Sequence, residues 1–101
     1  MNVANLLGEQ LDYWMYCHAS KVMGEAPSKG DFEKAYTDGK FHFSADRALL
    51  ADLMETYNIN IQRLAGEWLA STSGNSYYGD TPLIAACRLV IGLTFGKTVE
   101  G

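Results

Sequence analysis

The sequence predicts a small α+β domain, because two runs with helical spacing flank a stretch with the alternation of strands. Residues 3–23 and 82–95 place apolar side chains three or four apart, as one face of an α-helix does. Residues 58–71 alternate apolar and polar side chains on both sides of Gly66, which is typical of an antiparallel hairpin. A chain of 101 residues has the size of one domain, so we expect a single domain over 1–101.

The first half of the chain is predicted to hold two helices separated by loops. The helix over 3–23 is followed at 24–31 by the proline and glycine content of a surface linker. Residues 41–43 alternate like a brief strand, which would add a third strand to the sheet. A second helix over 45–57 is expected to begin after Ser44, whose hydroxyl can cap its first turn.

Residues 58–76 are predicted to form the hairpin, followed by a loop. Ile59 and Ile61 fall on one face of the first strand, and we expect the chain to turn near 65–67. Residues 71–76 are rich in Ser and Gly, so the sequence predicts a flexible connection there.

The last helix has the clearest boundary in the chain. Thr81 can cap it, and Pro82 loses no hydrogen bond, because the first turn of a helix leaves its amides unpaired. Its apolar stripe is wide, so we expect this helix, together with the helix over 3–23, to cover one face of the hairpin.

Composition and charge narrow the classes of partner. Eight Lys and Arg against twelve Asp and Glu give a formal charge of −4, which argues against nonspecific nucleic-acid binding. A specific site would need Arg47, Arg63 and Arg88 to gather into one basic patch. The most apolar stretch, 82–95, is too short to cross a bilayer, and the start of the chain lacks the basic region of a signal peptide. We therefore expect a cytoplasmic protein without a membrane or nucleic-acid partner.

Cysteine and histidine are the candidate catalytic residues. Cys17, His18 and Cys87 offer a nucleophile and a base, but neighbours on a helix point about 100° apart. A working dyad would therefore pair residues from different elements, with His42 as a further base. These residues lack the close paired spacing of zinc ligands, so we expect reduced thiols and no metal or cofactor.

Aromatic side chains are the candidate binding residues. Trp14 and Trp68 are expected in the core, whereas Tyr77 and Tyr78 lie between Ser and Gly residues and resemble the aromatic anchors of protein interfaces. Asp80, which follows them, completes the candidate binding set. The open edge of so small a sheet also favours a homodimer.

Several short motifs resemble the phage NinX-like family and together cover most of the chain. They are Leu6-Leu7-Gly8, Leu11-Asp12-Tyr13, Phe43-Ser44-Ala45-Asp46, the hairpin, and Thr81-Pro82-Leu83-Ile84-Ala85-Ala86 with Arg88 and Phe95-Gly96. The segment 79–95 is the most specific of them. The resemblance implies a small phage or prophage protein in a bacterial cell, from a family with no assigned biochemical activity.

The sequence departs from the family pattern in the middle of the chain. Arg47 stands where the family often has Trp, and Leu53-Met54-Glu55 replaces a Gly-Pro-Ile-Ile-like stretch. The resemblance thus implies that residues 47–57 are less regularly helical than their spacing indicates.

Together these observations predict a phage- or prophage-derived accessory protein that binds a host or phage protein. Tyr77, Tyr78 and the loop before them are its expected binding surface. The alternative is a small enzyme that uses Cys17 or Cys87 with a histidine.

Overall fold

The computed structural model describes residues 1–100 and confirms the α+β fold. Four α-helices and a three-stranded antiparallel sheet form within these residues. In chain order they are α1 (Gly8–Val22), α2 (Lys29–Thr37), α3 (Arg47–Tyr57), β1 (Asn60–Leu64), β2 (Glu67–Thr72), β3 (Asn75–Gly79) and α4 (Pro82–Phe95). Short 3₁₀ turns lie at Val3–Asn5 and Phe43–Ala45.

Helix α4 forms the centre of the molecule. Every residue from Ala85 to Ile91 is buried, as expected for a helix that is apolar on nearly all sides. It contacts β2 and β3, and it also contacts α1 and α3. The predicted bounds of this helix and its packing on the sheet are confirmed, and the Thr81 hydroxyl accepts a hydrogen bond from the amide of Ile84. Helix α1 packs mainly on α4, so α4 is the main cover of the sheet.

The prediction of a third strand at 41–43 is wrong. Phe41 has a φ of 63° and Phe43 begins a 3₁₀ turn, so this segment bends instead of extending. The third strand is β3, which occupies part of the region expected to be a flexible connection. Ser73 and Gly74, with φ values of 50° and 82°, make a tight two-residue turn between β2 and β3.

The register of the sheet aligns its side chains in cross-strand rows that alternate between the two faces. Ile61, Ala70 and Tyr77 lie opposite one another on the face towards α4. The next row, Gln62, Leu69 and Tyr78, therefore points away from that helix. The predicted hairpin is confirmed, and its two-residue turn lies at Ala65 and Gly66, with φ values of 51° and 84°.

The predicted boundaries of the first helix and its linker need correction. Val3–Asn5 is a separate 3₁₀ turn, and Gly8, with a φ of 56°, begins α1. The linker expected over 24–31 is shorter, because Ser28 caps the amide of Asp31 and α2 begins at Lys29.

The next helix also begins later than predicted. The carboxylate of Asp46, rather than the hydroxyl of Ser44, caps α3 by accepting from the amide of Ala48. Helix α3 then runs unbroken from Arg47 to Tyr57, so the irregularity that the family resemblance implies for 47–57 is absent.

A buried carboxylate on α1 holds two later segments of the chain against that helix. Asp12 is 1% exposed and accepts hydrogen bonds from the Tyr36 hydroxyl and the Ser44 amide, both at 2.8 Å. Beside it, the ring of Phe32 packs against the rings of Tyr16 and Tyr36. These contacts fix α2 and the turn at 43–45 on the side of α1.

Candidate binding surface at the edge of the sheet

His18 is part of a hydrogen-bond chain that joins three helices. Its Nδ1 lies 2.8 Å from Thr94 Oγ1, and its Nε2 lies 2.8 Å from the Tyr57 hydroxyl. The Thr94 hydroxyl donates its single proton to the Val90 carbonyl, so Thr94 Oγ1 accepts from the Nδ1–H of His18. His18 Nε2 is then unprotonated and accepts from Tyr57. This pattern fixes the neutral tautomer of His18 and ties α1 to α3 and α4.

The pKa values of the titratable groups in this hydrogen-bond chain agree with its geometry. Burial lowers the pKa of His18, and the nearby ammonium of Lys21 lowers it further. Burial also raises the pKa of Tyr57, which keeps the phenol proton available for donation. The basic nitrogen of His18 is therefore already occupied and is not free to accept a proton from a substrate.

The two candidate thiols are free and buried. Burial raises the pKa of Cys17, an effect that a hydrogen bond with Tyr13 partly offsets. Burial and the charge of Asp12 raise the pKa of Cys87 to about 12. Since the thiolate is the reactive form, both surroundings oppose nucleophilic chemistry at neutral pH.

The remaining histidine also has a structural partner. The ring of His42 stacks on that of Tyr36 with 4.0 Å between centroids, and His42 Nε2 lies 3.2 Å from the Tyr36 carbonyl oxygen. In residues 1–100, no group of three or more His, Cys, Asp or Glu side chains comes together as metal ligands would.

Arg88 is a buried connector rather than part of a basic patch. It is 8% exposed, and it donates from Nε to the Leu6 carbonyl at 2.9 Å and from Nη1 to the Tyr78 carbonyl at 2.6 Å. Burial lowers its pKa, against the raising influence of Asp80 and Glu67. The guanidinium of Arg63 lies over the ring of Trp68. A patch that includes Arg88 is thus not presented to a nucleic acid.

The two candidate tyrosines lie on opposite faces of β3. Tyr77 packs its ring on α4 at Gly92, where a Cβ would come within 2.5 Å of the phenol oxygen. Tyr78 points away from α4 and is 47% exposed. Asp80 is exposed just after the strand. The structure therefore leaves Tyr78, and not Tyr77, as the aromatic ring open to a partner.

Strand β3 is an edge of the sheet, and its outward main-chain groups can be assigned. The pair that flanks a two-residue turn is hydrogen-bonded, and hydrogen-bonded and non-hydrogen-bonded pairs then alternate. Because Thr72 and Asn75 flank the turn, Ser76 and Tyr78 direct their N–H and C=O groups away from β2. The bond from Arg88 to the Tyr78 carbonyl agrees with this assignment. The Ser76 amide, the Ser76 carbonyl and the Tyr78 amide are left for a partner.

A groove of about 400 Å³ runs along this edge. Residues 74–78 form one wall, and Asn2, Ala4 and Lys97 form the other. The second wall is held by pairing between distant parts of the chain, since the Val3 amide donates to the Lys97 carbonyl at 2.9 Å. Of the described residues that line the groove, Lys97 is the one with a charge. We call this feature the β3 groove.

A larger cleft of about 580 Å³ lies between the starts of α3 and α4. Its walls include Leu50, Pro82 and the exposed Arg47. The Asp46 and Thr81 side chains already cap these two helices, so the first-turn amides are in part satisfied. The cleft thus lacks the row of open main-chain groups that distinguishes the β3 groove.

The sequence indicates Tyr78 as a binding residue but does not indicate the groove beside it. The opposite wall depends on pairing between residues 1–3 and 97–99, which no local sequence pattern predicts. The one available signal was the Ser-Gly pair at 73–74, which can form a tight hairpin turn as well as a loop.

Comparison of the sequence with known families and curated proteins identifies no relative. A scan of the sequence against known family models finds no match, and a search of curated proteins finds no significantly similar sequence. The resemblance to the NinX-like family therefore stays a prediction that depends on its motifs. Within residues 1–100, no helix combines the length and apolar character needed to span a bilayer.

Proposed function

We propose that this protein is a phage- or prophage-derived accessory protein that acts in the bacterial cytoplasm by binding a host or phage protein at the β3 groove. The observation that carries the proposal is the exposed ring of Tyr78 beside open main-chain groups of an edge strand. Aromatic anchors dominate the energetics of protein interfaces, and sheet edges recruit partner segments. The phage origin rests on the motif resemblance alone.

The surroundings of the thiols and histidines favour binding over the enzyme alternative. Both cysteines are buried with raised pKa values, and the basic nitrogen of His18 accepts a hydrogen bond from Tyr57. An enzyme of this kind would need a thiolate within reach of a free imidazole. Thiols that react rapidly at neutral pH in the folded protein would restore the enzyme alternative.

The proposal is tested by affinity capture from a lysate of the host cell, with the captured protein identified and its affinity measured. Tyr78→Ser removes the exposed ring and should weaken binding at least about tenfold, as expected for an interface anchor. Leu93→Ser is the matched control, because Leu93 is 40% exposed on α4 and lies outside the groove. Unchanged affinity of Tyr78→Ser would contradict the proposal.

A homodimer is a second candidate, and the observation that favours it lies at the other edge of the sheet. By the same alternation from the turn at Ala65 and Gly66, Ile61 and Arg63 of β1 direct their main-chain groups outward. Light scattering should then give twice the 11.1 kDa mass of one chain. Arg63→Pro, which removes an outward amide, should restore the single-chain mass, and a wild-type mass of one chain would exclude the dimer.

A further inference from the structure

We infer that the occupant of the β3 groove is an extended, acidic segment of the partner, which joins β3 as a further strand of the sheet. The inference rests on the proposed function and adds the conformation and charge of what binds. Two independent features carry it: the outward main-chain groups of β3, and the charge of the wall opposite them.

The main-chain groups define how an extended segment would bind. Ser76 offers both an N–H and a C=O, so one residue of the incoming strand can exchange two hydrogen bonds with it. Tyr78 offers only its N–H, because Arg88 already binds its carbonyl. Arg88 also binds the carbonyl of Leu6, so it links β3 to the N-terminal segment just beyond this point. The paired part of the segment is therefore short and ends near Arg88.

The charge of the groove favours an acidic segment. The chain as a whole carries −4, yet Lys97 is the charged residue among the described residues that line the groove. The nearby amide side chains already have local partners, since Asn2 accepts from the Ala4 amide and Asn75 donates to the Ser73 carbonyl. A carboxylate on the incoming strand would meet the ammonium of Lys97, and a cationic side chain would be repelled by it.

The edge of β1 offers the same kind of main-chain group without these additional features. Ile61 and Arg63 direct their amides outward, but the cation of that strand is Arg63 itself, whose guanidinium already lies over the Trp68 ring rather than on an opposing wall. An acidic strand should therefore select β3 over β1 because β3 is bordered by a second wall that carries Lys97.

The test is an NMR titration of the whole chain with two capped peptides, acetyl-Val-Glu-Val-Glu-Val-amide and acetyl-Val-Lys-Val-Lys-Val-amide. The acidic peptide should shift the amide signals of Ser76 and Tyr78 and leave those of Ile61 and Arg63 in place. Lys97→Glu should weaken its binding about fivefold or more, as reversal of one surface charge does. Lys40→Glu is the control, since it changes the net charge equally at an exposed residue outside the groove.

Three results would overturn the inference: no shift at Ser76 and Tyr78, equal binding of the basic peptide, or shifts centred on β1. Partner capture with Tyr78→Ser separates this failure from failure of the proposed function. If Tyr78→Ser abolishes capture while the peptides leave β3 unaffected, the protein-binding function stands and the acidic strand does not. If neither experiment responds, both fail.

Discussion

The two edge strands of this sheet differ in how firmly the rest of the molecule holds them. Strand β3 lies against α4, with Gly79 beneath the backbone of Ala85 and Tyr77 over Gly92. Strand β1 pairs with β2 and is exposed at most of its positions. Both strands are formed, but an edge strand backed by a buried helix should lose less conformational freedom when it binds a partner than one held mainly by a neighbouring strand. The comparison indicates that β3 is the edge prepared for recognition and β1 the edge that opens first.

The substitution with the largest expected effect, Gly79→Ala, tests how closely β3 approaches α4. A Cβ on Gly79 would lie 2.5 Å from the Ala85 amide nitrogen, so Gly79→Ala requires a backbone shift. We expect it to lower the free energy of unfolding by about 3 kcal/mol, the range for overpacking in a tight core. Urea denaturation measures this change. Asn60→Ala, at an exposed position of β1, is the control and should change the stability by less than about 0.5 kcal/mol.

A smaller effect tests the contact between Tyr77 and Gly92. Gly92→Ala should favour the helix by about 1 kcal/mol, but its Cβ would overlap the Tyr77 ring, so we expect a net loss of about 1 kcal/mol. In a Tyr77→Ala background the overlap is gone, and the same substitution should become stabilising. A double-mutant cycle measures this reversal of sign. Additive effects would show that the ring does not press on α4.

The smallest expected effect is a dependence of stability on pH, which should act at the start of β1. The pKa of His18 in the fold lies below its unfolded value of about 6.5, so neutral His18 contributes stability above pH 6.5. That contribution is lost as the pH falls through the lowered pKa. Protonation of His18 Nε2 removes the acceptor of the Tyr57 hydroxyl proton, so this hydroxyl, on the last residue of α3, must turn its proton elsewhere. This rearrangement should loosen the adjoining β1 more than β3.

Hydrogen exchange and urea denaturation between pH 7.5 and 5.0 measure this effect. We expect the β1 amides to lose protection before those of β3, and His18→Gln to reduce the pH dependence of stability. An equal pH dependence in the two proteins would contradict the role assigned to His18.

The parts of the fold that sequence predicts are those with local signals. Thr81 and Pro82 mark the start of α4 because capping and the absence of a proline amide act within one turn. The hairpin at Gly66 likewise follows from alternation and a turn residue. The strand β3 does not follow from the sequence, because Ser73 and Gly74 form a tight turn that composition alone does not distinguish from a loop.

The parts that sequence does not predict depend on distant partners. Asp12 and Arg88 are buried because the Tyr36 hydroxyl and the Leu6 carbonyl satisfy them, and these partners come together only in the folded chain. The β3 groove has the same origin, since Lys97 reaches it through pairing with the first residues. Of the candidate site residues, Tyr78 was predicted on an open surface, and the structure places it beside this groove.

The most direct test of the account is partner capture with one proline on each edge of the sheet. Ser76→Pro and Arg63→Pro both remove an amide that points away from β2, so neither removes a hydrogen bond of the sheet. We expect Ser76→Pro to abolish capture of the partner and Arg63→Pro to leave its affinity unchanged. Loss of capture with Arg63→Pro and normal capture with Ser76→Pro would contradict it, and would assign recognition to β1.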